Sequence, residues 1–264
     1  MKQLLITIIV LVLLIITNQS LAGEGDWSYE IDSMIKNKYI SPDGFNIHND
    51  WVSQTGIKAI HDSSDIYVKF WYNGDLGANF LDMDNSAGMG FETESNYILG
   101  KLFQVWGLDG DVSVAFWDLG TQGELKNDGS IDLFFTNLKL GKTFEINPHQ
   151  AITLYSQVSN YTLLNSSQGN GWDYRLGLSH DLNLSKGLGW SLGGDYGFDD
   201  GYIFGDPGFN GKASTSLSWK LPPCFGFGEN TTLILPEATY FFSSPRVGDQ
   251  KDVWAFGGGV SIKF

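Results

Sequence analysis

The chain has 264 residues, a formal net charge of −14, 33 glycines and 14% aromatic residues. A chain this acidic has too few Lys and Arg side chains to neutralise phosphates, which argues against nucleic acid as a partner. The single cysteine, Cys224, has no partner for an intrachain disulfide, and its sequence context indicates no nucleophile.

The first 22 residues predict a secretory signal peptide. Lys2 gives a basic start, residues 4–16 are almost wholly aliphatic, and Ser20 and Ala22 are the small residues of a cleavage site. The apolar run is short for a transmembrane helix. We expect cleavage after Ala22, with an uncleaved membrane anchor as the alternative. Residues 23–264 then form one β-barrel domain, because no later segment resembles a spanning helix and only a closed barrel could otherwise cross a bilayer.

Apolar and polar residues alternate along short segments that are separated by clusters of Gly, Asn, Asp, Ser and Pro. This pattern predicts twelve β-strands. They lie at residues 26–36, 46–60, 65–74, 90–100, 110–119, 131–143, 150–162, 172–183, 188–199, 210–221, 230–242 and 252–264. Mixed parities near Trp51 suggest a bulge in the second strand, and Pro236 must kink its strand or lie where no ladder donor is needed.

Each strand has one apolar face and one small or polar face, as the last strand shows. Trp254, Phe256 and Phe264 share one parity, and Ala255 and Ser261 share the other. A sandwich with an apolar core and a membrane barrel with a polar lumen give the same alternation. Tryptophans near strand ends match the interfacial girdles of a barrel: Trp27, Trp172, Trp190, Trp219 and Trp254. We therefore predict an all-β fold, a transmembrane antiparallel up-and-down β-barrel of about 12 strands, with a soluble periplasmic β-sandwich as the alternative.

The predicted connections are mostly longer at one end of this barrel than at the other. An even strand number places both chain ends at the end with the shorter connections. The segments 101–109 and 221–230 do not fit this scheme, because both are predicted as long connections at the short-connection end.

Three segments resemble the TorF-type porin family. They are Asn37-Lys-Tyr-Ile-Ser41, Tyr67-Val-Lys-Phe-Trp-Tyr-Asn73 and Glu92-Thr-Glu-Ser-Asn-Tyr-Ile-Leu-Gly100, in the family's order, and the similarity extends loosely over residues 37–200. The chain departs from the family at residues 40–42, where an Arg-Gly pair is common, and at Glu94, where Asp is common. The resemblance implies an integral barrel of the Gram-negative outer membrane with a transport role. A last strand ending on Phe264 likewise resembles those that the barrel-assembly machinery reads.

The alternation also predicts which side chains line the lumen. The candidates are Tyr67, Lys69, Trp71, Asn73, Glu92, Glu94, Asn96, Asp173, Arg175 and Asp195. We expect Lys69 to pair with Glu92 or Glu94 across neighbouring strands. Two interpretations remain open: a charged constriction that passes small polar solutes or ions, and a polar network that fills a non-conducting barrel whose loops bind a partner. Twelve strands lie between a filled barrel and an open pore.

The inward charges show a slight acidic excess, which suggests at most a mild preference for cations. The acidic set is Glu30, Asp32, Glu92, Glu94, Asp111, Asp173, Asp181, Asp195 and Asp199; the basic set is Lys58, Lys69, Arg175, Lys212, Lys220 and Lys263.

An enzyme is not expected. Ser179-His180-Asp181 looks like a triad, but successive strand residues point to opposite faces and cannot form a relay. No clustered His or Cys ligands predict a metal or cofactor, and the acidic segment 81–85 is better explained as a solvated loop than as a Ca²⁺ site.

Overall fold

The computed structural model describes residues 27–40, 46–48, 51–76, 94–118, 133–163, 170–200, 207–222, 230–243 and 252–264. The predicted signal peptide, Glu92, the acidic segment 81–85 and Cys224 lie outside these residues. No helix in the described ranges is long and apolar enough to cross a membrane.

The described chain forms a closed antiparallel barrel of twelve strands, which confirms the predicted fold class and excludes the sandwich. The strands are β1 (Trp27–Lys36), β2 (Tyr39–Ile40), β3 (Asn46–His48), β4 (Val52–His61), β5 (Ile66–Asp75), β6 (Glu94–Val105), β7 (Leu108–Asp118), β8 (Leu133–Asn147), β9 (Gln150–Leu163), β10 (Asn170–Ser185), β11 (Leu188–Asp199), β12 (Gly208–Lys220), β13 (Thr231–Ser243) and β14 (Val253–Lys263). β2 and β3 pair only with each other. The other strands pair with their barrel neighbours in chain order, and β1 pairs with β14 to close the ring.

One predicted strand and one predicted connection were wrong in their bounds. The segment 46–60 is not one bulged strand, because β3 belongs to the separate small hairpin and the barrel strand β4 starts at Val52. The segment 101–109 is not a long connection, because β6 continues to Val105 and pairs there with Leu108. The turn is only Trp106 and Gly107, with φ of 50° and 75°, the positive values that a two-residue type I′ hairpin requires.

The expected irregularity at Pro236 is present. The register between β13 and β14 shifts between Ile234 and Glu237, and the register between β12 and β13 shifts at Ser216 and Ser218. Proline has no N–H to donate to a ladder, so it is accommodated where the pairing is already interrupted.

The barrel has two different ends. The turn end carries the connections 62–65, 106–107, 148–149 and 186–187, together with the longer connection 221–230. The loop end carries the connections 37–51, 76–93, 119–132, 164–169, 200–207 and 244–252. The start of β1 and the end of β14 lie at the turn end, since Trp27 is the first residue of β1 and pairs with His61 beside a turn.

The outer face of the barrel is apolar and exposed. Val68, Leu99 and Leu178 are each about half exposed, and Leu176 is 69% exposed. The five tryptophans singled out above are also exposed. Trp27, Trp190 and Trp219 lie near the turn end, and Trp172 and Trp254 near the loop end. An apolar outer band between two aromatic girdles is the arrangement of a barrel whose outer face meets lipid.

Candidate lumenal site

The nine predicted lumenal residues that the structure describes all lie on the inner face of the barrel. Tyr67, Asn73, Glu94, Asn96, Asp173, Arg175 and Asp195 are buried, and Lys69 and Trp71 line a cavity inside the barrel. The nine residues form separate groups and do not converge on a single site. Whether they line a conducting path stays a prediction.

The cavity inside the barrel has a volume of about 560 Å³. One wall is formed by β5 to β8, with lysine, aromatic and aliphatic side chains together with the polar side chains of Glu94, Asn96, Ser113 and Asn137. The facing wall is formed by β11 to β13, mostly with small hydroxyl side chains. Of the predicted residues, Lys69, Trp71, Glu94 and Asn96 line this cavity, whereas Tyr67, Asn73, Asp173, Arg175 and Asp195 do not.

Arg175 is the centre of a buried ionic network on β10, β11 and β12. Its Nε donates to Asp173 at 2.7 Å, one terminal nitrogen donates to Asp195 at 2.9 Å, and the other donates to Asn210 at 2.8 Å. Lys212 also contacts Asp195, at 3.2 Å. These charges are compensated inside the wall, so this group fills part of the lumen and stabilises three neighbouring strands.

A second polar group involves the small hairpin. The Tyr39 hydroxyl, on β2, donates a hydrogen bond to one carboxylate oxygen of Glu94, and Asn96 donates to the other at 2.6 Å. The Tyr39 ring lies against Trp71, with centroids 5.9 Å apart. The hairpin therefore folds into the barrel, a placement that alternation along β1 and β4 gave no means to predict.

The expected ion pair between Lys69 and Glu94 does not form. Lys69 lies opposite Ile98 in the β5–β6 ladder, whereas Glu94 lies opposite Asn73, four residues further along β5. Period-two alternation identifies the face of each residue but leaves the offset between strands open. The alternative partner, Glu92, lies outside the described residues.

Two tyrosines each cross a glycine on the next strand to reach an aspartate one strand further. Tyr67 donates to Asp111 at 2.8 Å across Gly100. Tyr155 donates to Asp195 at 3.1 Å across Gly177. A methyl group on either glycine would overlap the tyrosine ring.

A lysine ammonium lies over the face of each of these tyrosine rings. The Lys58 ammonium lies 4.1 Å from the centroid of Tyr67, and that of Lys139 lies 4.0 Å from Tyr155. Both are cation–π distances. The sequence-based list of inward residues missed Lys139 and Tyr155, although Asn137 and Gln157, with the same parity on the same strands, are polar.

The lumenal cations divide into paired and unpaired ones. Lys36 contacts Glu237 at 2.7 Å, and Lys263 contacts Glu30 at 2.9 Å. Within the described ranges, no carboxylate makes an ion pair with any of three further cations: Lys58, Lys69 and Lys139. The tally of acidic and basic residues therefore describes the lumen poorly. Several acids are held by arginine, lysine or tyrosine donors, while three lysines make no ion pair with a described carboxylate.

The triad-like sequence has no relay geometry. Asp181 accepts a hydrogen bond from Ser191 on the next strand, and its neighbour His180 alternates to the opposite face of β10. Among the residues that the structure describes, no group of three or more His, Cys, Asp and Glu side chains is placed to hold a metal ion.

Comparisons with known proteins show likeness in structure. No family model matches the chain, and no curated protein matches it significantly. The NanC porin is similar in structure, with a TM-score of 0.51 and 7% identity, over 90% of this chain and 100% of that one. An outer membrane channel from Pseudomonas putida F1 has a TM-score of 0.51 and 12% identity, over 92% of this chain and 97% of that one.

At these identities the likeness establishes the fold, which is that of outer-membrane barrels. The resemblance to the TorF-type family stays an expectation from the sequence.

Proposed function

We propose that the protein is an integral barrel of the Gram-negative outer membrane, acting as a narrow passive channel for small polar solutes or ions. The observation that carries this proposal is the cavity of about 560 Å³ inside a closed barrel with an apolar outer face. The proposal includes removal of a signal peptide near Ala22, lipid contact along the outer face and recognition of the Phe264 strand by the barrel-assembly machinery. The proteins of similar fold named above are called a porin and a channel, which supports it.

The lumen is narrow because the barrel wall fills much of it. The Arg175 network occupies the side of β10 to β12, and an apolar group of Ala115, Trp117, Leu133 and Tyr161 occupies the side of β7 to β9. Water and solutes would pass beside the small residues of the opposite wall, such as Ser214 and Ser216. Lys69, Trp71, Glu94 and Asn96 are the predicted lumenal residues that a solute would touch. The proposed activity is passage of a solute without chemical conversion.

Two measurements on the purified protein test this proposal. Heat-modifiable migration on gels reports a folded barrel, and stepwise current in planar bilayers reports a pore. We expect both. Folded, heat-modifiable protein that never produces a current step would contradict the channel and leave the barrel standing. Recovery in the soluble periplasm without detergent would contradict the membrane location.

A second candidate is a non-conducting barrel whose loops bind a partner. The buried networks of Arg175 and Glu94 favour it, because polar side chains that bond to one another inside a barrel occupy the space that a solute would need. The bilayer experiment separates the two, since only a pore gives current from folded protein.

A further inference from the structure

One row of directly opposed residues crosses the inner wall of the barrel from β4 to β8. Lys58 pairs with Lys69, Lys69 with Ile98, Ile98 with Ala115, and Ala115 with Phe135. Two cationic residues are thus followed by three apolar ones. The lumens of outer-membrane barrels are polar. Apolar side chains on the inner wall do not bind water, so this stretch needs another explanation than a hydrated pore.

Four consecutive members of this row line the same cavity: Lys69, Ile98, Ala115 and Phe135. Ala115 is only 2% exposed because its neighbours cover it, so Ile98 and Phe135 supply most of the accessible apolar surface of the row. Two aromatic neighbours hold the Phe135 ring in place. It stacks on Trp117, with ring centroids 5.1 Å apart, and packs on Tyr161, with ring centroids 4.8 Å apart. The apolar part of the row is therefore a fixed surface.

Among the described residues, Lys69 is the cation of the row that has no carboxylate opposite it and no ion pair. Like charges directly opposite in a sheet are destabilising. Lys58 also has Glu30 opposite it on β1, and Glu30 makes its ion pair with Lys263. No carboxylate of the described residues makes an ion pair with Lys69. The Lys58 ammonium is placed over the Tyr67 ring. The Lys69 side chain lies over Gly56, where an added Cβ would be 3.3 Å from its Cε. Gly56 thus leaves room for the Lys69 side chain.

We propose that this row binds small amphipathic organic anions. A carboxylate contacts Lys69, and an apolar body of about one aromatic ring lies on Ile98 and Phe135. The distance from β5 to β8 is three strand spacings of about 4.8 Å, which accommodates such a molecule. The inference rests on the proposed function only in that the ligand would be a solute of the channel.

Other ligand classes fit the row less well. An inorganic anion has no use for the apolar wall, and a neutral aromatic leaves Lys69 without a counter-charge. The carboxylate of Glu94, in the same cavity, is already held by Tyr39 and Asn96, so it is not a partner for Lys69. On the facing wall, the small side chains of Ser214, Ser216 and Thr239 lie beside Lys212, Glu237 and Phe241, and the cavity of about 560 Å³ has the volume for one such ligand.

Calorimetric titration of the detergent-purified protein tests the proposal with three probes. Benzoate carries both features, acetate carries only the charge, and benzyl alcohol carries only the ring. We expect benzoate to bind at least tenfold more tightly than either of the others. Equal affinity for benzoate and acetate, or no binding of benzoate, would overturn the proposal.

Two variants locate the binding. Lys69→Gln should weaken benzoate binding at least tenfold, and Ile98→Ala should weaken it by removing apolar contact surface while acetate affinity stays unchanged. Lys101→Gln is the matched control, because Lys101 is on the same strand as Ile98 but is exposed on the opposite face. Heat-modifiable migration verifies that each variant is folded. Unchanged benzoate affinity in folded Lys69→Gln would contradict the site.

Current measurements keep this inference separate from the channel proposal. Benzoate should reduce the single-channel conductance of the wild-type protein and not that of Lys69→Gln. Benzoate binding without any current would support the site and contradict the channel. Current without benzoate binding would support the channel and contradict the site.

Discussion

Tyr67 on β5 reaches Asp111 on β7, donating a hydrogen bond at 2.8 Å across Gly100 on the strand between them. Tyr155 and Asp195 repeat this relationship across Gly177, four barrel strands further along. In both places the ring covers a glycine and supports a lysine. The same set of contacts therefore connects three strands of the wall and positions a lysine ammonium in the lumen.

Adding a methyl group under the first of these rings should destabilise the barrel. Gly100→Ala would overlap the Tyr67 ring, and we expect a loss of about 1–3 kcal/mol in the free energy of unfolding. Urea unfolding in detergent, followed by heat-modifiable migration, measures it. In the background of Tyr67→Ala the same change should cost little, because the ring is gone. Equal costs in both backgrounds would show that the ring does not cover Gly100.

The two faces of β5 should respond differently to charge. Val68 is exposed on the outer face, so Val68→Arg places a charge against lipid at a cost of about 2–4 kcal/mol near the midplane. We expect poor assembly of Val68→Arg, measured as the heat-modifiable fraction in membranes. Lys69→Glu should assemble normally, because it changes a lumenal charge.

Lys69→Glu should also shift ion selectivity toward cations, measured as the reversal potential in a salt gradient across a planar bilayer. Equal loss of folding from Val68→Arg and Lys69→Glu would mean that the faces are assigned in reverse.

Removing Arg175 should be among the most destabilising changes in the lumen. Arg175→Met leaves Asp173 and Asp195 buried without their main counter-charge, and breaking one partner of a buried ionic group costs about 3–5 kcal/mol. The midpoint of urea unfolding measures the loss. Lys36→Met is the comparison, since its pair with Glu237 is more exposed and should contribute about 1 kcal/mol or less. Similar effects of the two changes would contradict the structural role assigned to the Arg175 network.

The turn between β6 and β7 should become more stable with asparagine at its first position. Trp106 has a φ of 50°, a value that asparagine tolerates better and that type I′ hairpins favour. We expect Trp106→Asn to raise the free energy of unfolding in detergent by about 0.5–1 kcal/mol. Trp106→Ala removes the same ring without easing the backbone, so it should give no gain. A gain from both would assign the effect to the exposed ring.

The sequence predicted the barrel, its strand number and the faces of its residues, because a period of two is visible wherever one face is apolar. Val68 and Lys69 illustrate this. Contacts that depend on the offset between strands were not predictable: Lys69 faces Ile98 instead of Glu94, and Tyr67 reaches a strand that is not its neighbour. The turn at Trp106 was missed because tryptophan is not a residue that marks turns.

The central claim is that a solute path runs through this lumen, past the hydroxyl wall of the cavity. Thiol labelling during current recording tests it most directly, with Ser214→Cys on that wall and Leu176→Cys on the outer face, each in a Cys224→Ser background. We expect stepwise current from both variants, and a charged, water-soluble thiol reagent should reduce it in Ser214→Cys but not in Leu176→Cys. Folded Ser214→Cys protein that gives no current, or a current that the reagent leaves unchanged after complete labelling, would contradict the claim.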